Sequence, residues 1–292
     1  MFTRILVPLD GSSVAERALP HARALGRVLK IPITLIAVIE TATDFSEKKT
    51  SYLDKLIEGG VRNAEEYLEK ISKTFSGAAV QYKVETGRAE DTIIMNAAAG
   101  TLITMATHGR SGLARWLLGS ITEQVVRGGH NAVLVMRANE ETCSEGEAVP
   151  DSIIVPLDGS TLAESVLLYV VELAKAFHAR VTLLRSYSLK QIIFSFEQYH
   201  PDLDGLKDAL RWEATSYLDE KVAELKSRGL VDVFCSVAEG DAAETIIEMG
   251  KGAPNTLIAM STQSGSTIKW VLGSVTEKVV RYANNPVLTI RT

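Results

Sequence analysis

Short apolar runs and longer periodic stretches alternate along the chain. Ile5 to Leu9 is an apolar run closed by Asp10, and Ile33 to Ile39 is apolar almost throughout. Runs of this length and β-branched content suit strands buried on both faces. Val80 to Glu85, Thr101 to Ala106 and Ala132 to Met136 complete a set of five expected strands. Between them apolar residues recur at helical spacing. Ala18, Ala22, Leu25 and Leu29 share one face of a helix expected from about Val14 to Leu29. Leu53, Leu56, Ile57, Ala64, Leu68 and Ile71 do so from about Tyr52 to Thr74. Further helices are expected over Asp91 to Ala99 and from Ser120 to Arg127. Strand and helix in strict alternation predict an α/β fold with a parallel sheet, helices on both faces and doubly wound topology.

The pattern then starts again. Val155-Pro156-Leu157-Asp158-Gly159-Ser160 copies Val7-Pro8-Leu9-Asp10-Gly11-Ser12 residue for residue, and Gly273 to Arg281 matches Gly119 to Arg127 with two changes. Asn285-Pro286-Val287-Leu288 echoes Asn131-Ala132-Val133-Leu134. Ordered matches of this kind mark a duplication. The expected organisation is a first domain over 1–138, an acidic linker over 139–151 and a second domain over 152–292. The linker carries Glu140, Glu141, Glu145, Glu147 and Asp151 and little apolar content.

Charge and cysteine content narrow the function. The net charge of -5 gives no general attraction to nucleic acid or to anionic membrane. No apolar run approaches the roughly 20 residues that span a bilayer. With Met1-Phe2-Thr3-Arg4 entering the first expected strand, no signal peptide is expected. Cys143 and Cys235 lie far apart and form no metal-binding spacing. The expectation is a cytoplasmic protein.

Candidate chemistry concentrates in the stretch from Met105 to Ser120. Glycines lie where strand becomes loop and where loop becomes helix, and Ser120 adds a hydroxyl at the helix start. Glycine admits close backbone approach to an anion, and a helix N-terminus presents unpaired N–H donors. In a doubly wound sheet the ligand crevice lies where strand order reverses. Asp10 and the loop after Ala106 would meet there. The chain contains no G-x-x-x-x-G-K-[ST], no G-x-G-x-x-G after a strand, no H-E-x-x-H and no G-x-S-x-G. No orienting carboxylate is in evidence to make His108 a general base.

From Ala106 the spacing is A-x-x-G, nine residues, then G-S. It resembles the nucleotide signature of the universal stress protein family, G-x-x-G, nine residues, G-[S/T], with Ala106 in place of the first glycine. With V-P-L-D-G-S at both starts and L-G-S-[IV]-T-E-[QK]-V-V-R at both ends, the resemblance covers nearly the whole chain, as a tandem member. It implies two Rossmann-like sheets of strand order 3-2-1-4-5, related by a pseudo-two-fold. It also implies ATP, with Mg2+ as an optional companion, bound in the first copy. Pro8 and Asp10 would border adenine and ribose, with Asp10 accepting from a ribose hydroxyl. Val38 would pack on the adenine. Met105, Ala106 and Gly109 would line the ribose and phosphates. Gly119, Ser120 and Ile121 would offer backbone N–H groups, and Arg110 would clamp a phosphate. The expected function is that of an ATP-binding stress-response or signalling protein with slow or no hydrolysis. Two alternatives stand beside it: a nucleotide-free interaction module, and an ATP-hydrolysing enzyme of related fold. Family members often dimerise through strand five; the two copies would pair in this way, and a homodimer is left open. Aligned without gaps on Gly119-Ser120 and Gly273-Ser274, Ala106 falls on Met260, His108 on Thr262 and Gly109 on Gln263. The second copy then lacks the loop glycines and reads as a degenerate site.

Overall fold

The structure, a computed structural model, describes residues 1–41, 51–108, 119–138, 145–189, 203–253, 255–262 and 272–291. The chain divides into two compact units, Met1–Val149 and Pro150–Ile290. In the first unit the strands are β1 (Arg4–Pro8), β2 (Ile33–Ile39), β3 (Val80–Thr86), β4 (Thr101–His108) and β5 (Ala132–Ala138). The helices are α1 (Leu19–Leu29), α2 (Ser51–Ser72), α3 (Ala89–Asn96) and α4 (Ser120–Gly128). All strands pair in parallel, in the order β3-β2-β1-β4-β5. Winding reverses between β3 and β4. Right-handed crossovers therefore put α1 and α2 on one face and α3 and α4 on the other, where the latter two pack together. Ile5, Val7, Ile33, Leu35, Ile36 and Ile103 are fully buried between these layers. Each contributes about 1.5–3 kcal/mol of hydrophobic stabilisation.

Most expected elements are present, with two changes of boundary. The helix expected from Val14 begins as a 3-10 turn, Ala15–Ala18, and turns α-helical only at Leu19. Pro20 is the reason: it lacks an N–H and is tolerated only in the first turn of an α-helix. The helix expected over Asp91 to Ala99 is α3, two residues earlier at its start, so that Glu90 and Asp91 occupy its first turn. It stops at Asn96, whose side-chain amide donates to Thr92 O at 2.8 Å.

The second unit repeats the plan with β6 (Ser152–Pro156), β7 (Arg180–Tyr187), β8 (Val233–Glu239), β9 (Thr256–Ser261) and β10 (Val287–Ile290). A single helical turn, α5 (Thr161–Glu164), precedes α6 (Leu167–Phe177), α7 (Leu203–Ser227), α8 (Ala242–Lys251) and α9 (Ser274–Tyr282). Its strand order is β8-β7-β6-β9-β10, again parallel.

Sheet register corrects the gapless alignment of the copies. Thr101 lies opposite Arg4, four residues before Pro8, and Thr256 lies opposite Ser152, four residues before Pro156. Met105 therefore corresponds to Met260, Ala106 to Ser261 and Thr107 to Thr262. The connection to Gly273 is one residue shorter than the connection to Gly119. A one-residue shift inside a loop is free, whereas in a strand it would turn every core side chain to the opposite face. The strands kept their register and the loop took the deletion.

Of the stretch expected as a linker, residues 139–144 lie outside the described residues. Gly146 to Ala148 runs against α1. The Arg27 guanidinium donates to both oxygens of Glu147 at 2.7–2.9 Å. Arg23 donates to Gly146 O at 3.1 Å, and Ala148 N donates to Pro20 O at 3.1 Å.

Candidate functional site

The first unit's crevice forms from chain ends that the sheet brings together. Beyond β1, Leu9 N still donates to Ile36 O at 2.8 Å, so the chain leaves the sheet at Asp10. Gly11 takes a φ of +80°, open to glycine at little strain. Asp10 Oδ1 accepts from Ser12 N at 2.9 Å, and Ser12 Oγ accepts from Ala15 N at 3.1 Å. One carboxylate oxygen of Asp10 thus serves the turn. Among the described residues the other takes no donor, and Asp10 is exposed at the crevice.

The resulting cleft has a volume of about 390 Å³, within the roughly 300–1,000 Å³ range of small-molecule sites. It gathers Pro8 and Asp10 from the end of β1, Val38 from β2, and Met105 and Ala106 from β4. Gly119, Ser120 and Ile121 line it from the start of α4. Gly109 and Arg110, expected at the phosphates, lie outside the described residues.

Two details differ from expectation. The N–H of Gly119, expected to face a phosphate, is donated to Thr107 Oγ1 at 2.9 Å. The first-turn amides that the helix leaves unpaired are therefore those of Ser120, Ile121 and Thr122, ahead of Glu123 N, which donates to Gly119 O at 2.9 Å. Gly119 is the N-cap and Ser120 the first helical residue, so the Ser120 hydroxyl does not cap the helix.

Sequence reading missed several members of the site. Glu40 adds a second carboxylate, Ala89 and Ile93 add an apolar wall from α3, and Thr107 and Thr122 add buried hydroxyls. Tyr67 of α2 donates to Glu16 at 3.1 Å beneath the turn that holds Asp10. Burial raises its phenol pKa well above the ordinary value, with Glu16 and then Asp10 adding to the shift. The second unit repeats the pair: Tyr217 donates to Glu164 at 2.8 Å. A tyrosine far along the chain from its partner gives no local signal; only its recurrence in both copies could have exposed it.

The second unit's crevice is larger, about 710 Å³, and lined differently. Asp158 repeats the turn of Asp10, its Oδ1 accepting from Ser160 N at 2.9 Å. By sheet register Ser186 stands where β2 has Val38. Asp241 caps α8 and faces Lys278 at 3.7 Å. Ala242 and Ile246 keep the helix wall of Ala89 and Ile93, while Ser186, Asp241 and Lys278 add polar and charged groups that the first cleft's described lining lacks at those places. Gln263 lies outside the described residues.

Two doubly wound sets of parallel strands, each with a cleft where strand order reverses, define a tandem α/β protein. The universal stress protein family matches residues 1–137 and again 150–291. The chain belongs to that family, as a member with two domains. Among relatives, it is 23% identical to universal stress protein Rv2623 of Mycobacterium tuberculosis, over 98% of this chain and 96% of that one. It is 27% identical over 141 residues to universal stress protein MJ0531 of Methanocaldococcus jannaschii, covering 47% of this chain and 83% of that one. A universal stress protein structure from Archaeoglobus fulgidus superposes with a TM-score of 0.75 over 99% of this chain and 98% of the other, at 21% identity, and shares the fold. Among the described residues no helix is long and apolar enough to cross a membrane.

Proposed function

We propose that the first unit binds ATP and that the chain is a cytoplasmic stress-response or signalling module with slow or no hydrolysis. The observation that carries this reading is the convergence of Pro8, Asp10, Val38, Met105, Ala106, Gly119, Ser120 and Ile121 on one cleft of suitable volume. Val38 offers an apolar face to a base, Asp10 a free carboxylate oxygen to a ribose, and Ser120 and Ile121 their N–H groups to phosphates. Mg2+ would arrive with the triphosphate; among the described residues no group of three carboxylate, histidine or cysteine side chains could hold it alone. In-line phosphoryl transfer needs a positioned base and charge clamps, and the described lining has Asp10 and Glu40 but no cation. The second unit, with Ser186, Asp241 and Lys278 in its lining, is read as not binding ATP. Mass spectrometry of ligand released from the purified, natively folded chain should find an adenine nucleotide. A second reading, a nucleotide-free interaction module, draws on the same pair of carboxylates and on the Ala106 methyl; it predicts no released ligand and no calorimetric response to ATP.

The apolar fifth strands of the two copies are proposed to pair with each other. Cutting the chain by protease within 139–144 and passing the product over gel filtration tests this: halves that co-elute support pairing, and halves that separate refute it.

A further inference from the structure

Thr107 ends the run of β4 residues that line the first cleft and is only 4% exposed. Its Oγ1 accepts the Gly119 N–H at 2.9 Å. That bond fixes the sense of the hydroxyl. With the oxygen receiving a backbone proton, the hydroxyl's own proton must point elsewhere, and a hydroxyl has one donor to place. Among the described residues no acceptor takes it. The same cleft wall holds the first-turn amides of α4, which are donors, and the Thr122 hydroxyl, which forms no hydrogen bond with Thr107 among the described residues. A buried donor beside a row of donors is complementary to a ligand oxygen rich in lone pairs.

The second unit lacks this arrangement. Gly273 N donates instead to the main-chain oxygen of Thr262 at 2.8 Å. Among the described residues the Thr262 hydroxyl, on a residue 5% exposed, has no partner, and Thr262 does not belong to the lining of the second cleft. The same residue type at the same register position therefore lines the cleft in one unit and not in the other.

We infer that Thr107 contacts the ligand directly, donating its hydroxyl proton to an anionic phosphate oxygen, and so sets the first cleft's preference for a phosphorylated nucleoside over a bare one. This rests on the reading that the first unit takes an adenine nucleotide. The test compares the full-length parent with Thr107→Val, which keeps the shape and removes the hydroxyl, and with Thr107→Ser, which keeps the hydroxyl. ATP and adenosine are each titrated calorimetrically, and circular dichroism checks the fold; Thr107→Ala serves in place of a valine variant that fails to fold. The valine variant should bind ATP about tenfold more weakly or worse, with adenosine affinity within about twofold of the parent. The serine variant should bind both ligands like the parent. Equal weakening of ATP and adenosine would overturn the inference, as would unchanged ATP affinity in the valine variant. A parent that binds neither ligand overturns the nucleotide reading itself, and the inference falls with it.

Discussion

At Gly119 the backbone torsions decide what the glycine is for. Its φ of -55° and ψ of 138° are open to any L residue. A Cβ there would meet Thr107 Oγ1 at 3.4 Å and Thr122 Oγ1 at 3.8 Å, contacts the fold can absorb. Gly119→Val should therefore leave circular dichroism near that of the parent and lower stability by about 1 kcal/mol, the cost of a poorer N-cap. Its branched side chain would stand in the cleft beside the Ser120 and Ile121 amides, and ATP binding should be lost. Gly11, with its φ of +80°, is the opposite case: glycine is needed there for the turn. His21 provides a pH-dependent prediction. Burial lowers its pKa from the ordinary 6.5 to about 4. Between these values the unfolded chain binds the proton and the folded chain does not, so stability falls as pH drops through that window. The loss is on the order of 3 kcal/mol at most. Urea titrations of His21→Gln should show a flatter stability profile between those pH values than the parent; an unchanged slope would show that another group carries it.

At the scale of elements, local chemistry explains why the two copies read alike. The repeated D-G-S builds the same device twice: Asp10 and Asp158 accept from the amides of Ser12 and Ser160. Those serines in turn accept from Ala15 and Ala163 at the start of the following helical turn. Short-range hydrogen bonds of this kind are legible in sequence because partners lie two or three residues apart. The Pro20 boundary was equally local and was missed by giving helical periodicity precedence over the missing N–H. The copies diverge at the helix after the third strand. Asp241 Oδ1 accepts from Glu244 N at 3.1 Å and caps α8, whereas Arg88 leaves α3 without a side-chain cap. Asp241→Ala should lower stability by about 1 kcal/mol in urea denaturation. Because Asp241 also faces Lys278 across the second cleft, the first unit's ligand binding should be untouched by that change.

On the scale of the whole molecule, duplication supplied two clefts and divergence made them unequal. Calorimetry should give about one ATP site per chain, because among the described residues the first unit's cleft has Val38 and Thr107 in its lining, whereas the second has Ser186 and lacks Thr262. Two equivalent sites would refute this asymmetry. The strand–helix alternation and the duplication were determined by the sequence itself, and the family resemblance named half of the first cleft's lining. Their signals are local: hydrophobic period, turn chemistry, and motifs repeated in order. Tertiary structure alone decided the rest. It showed that the loop, not the strand, absorbed the missing residue, because register is enforced by pairing with β1 and β6. It brought Tyr67 under Asp10 and Glu40, Ala89 and Ile93 into the cleft from elements distant along the chain. It also spent the Gly119 amide on Thr107, since which of a glycine's donors remains free depends on a side chain that only folding brings within 2.9 Å.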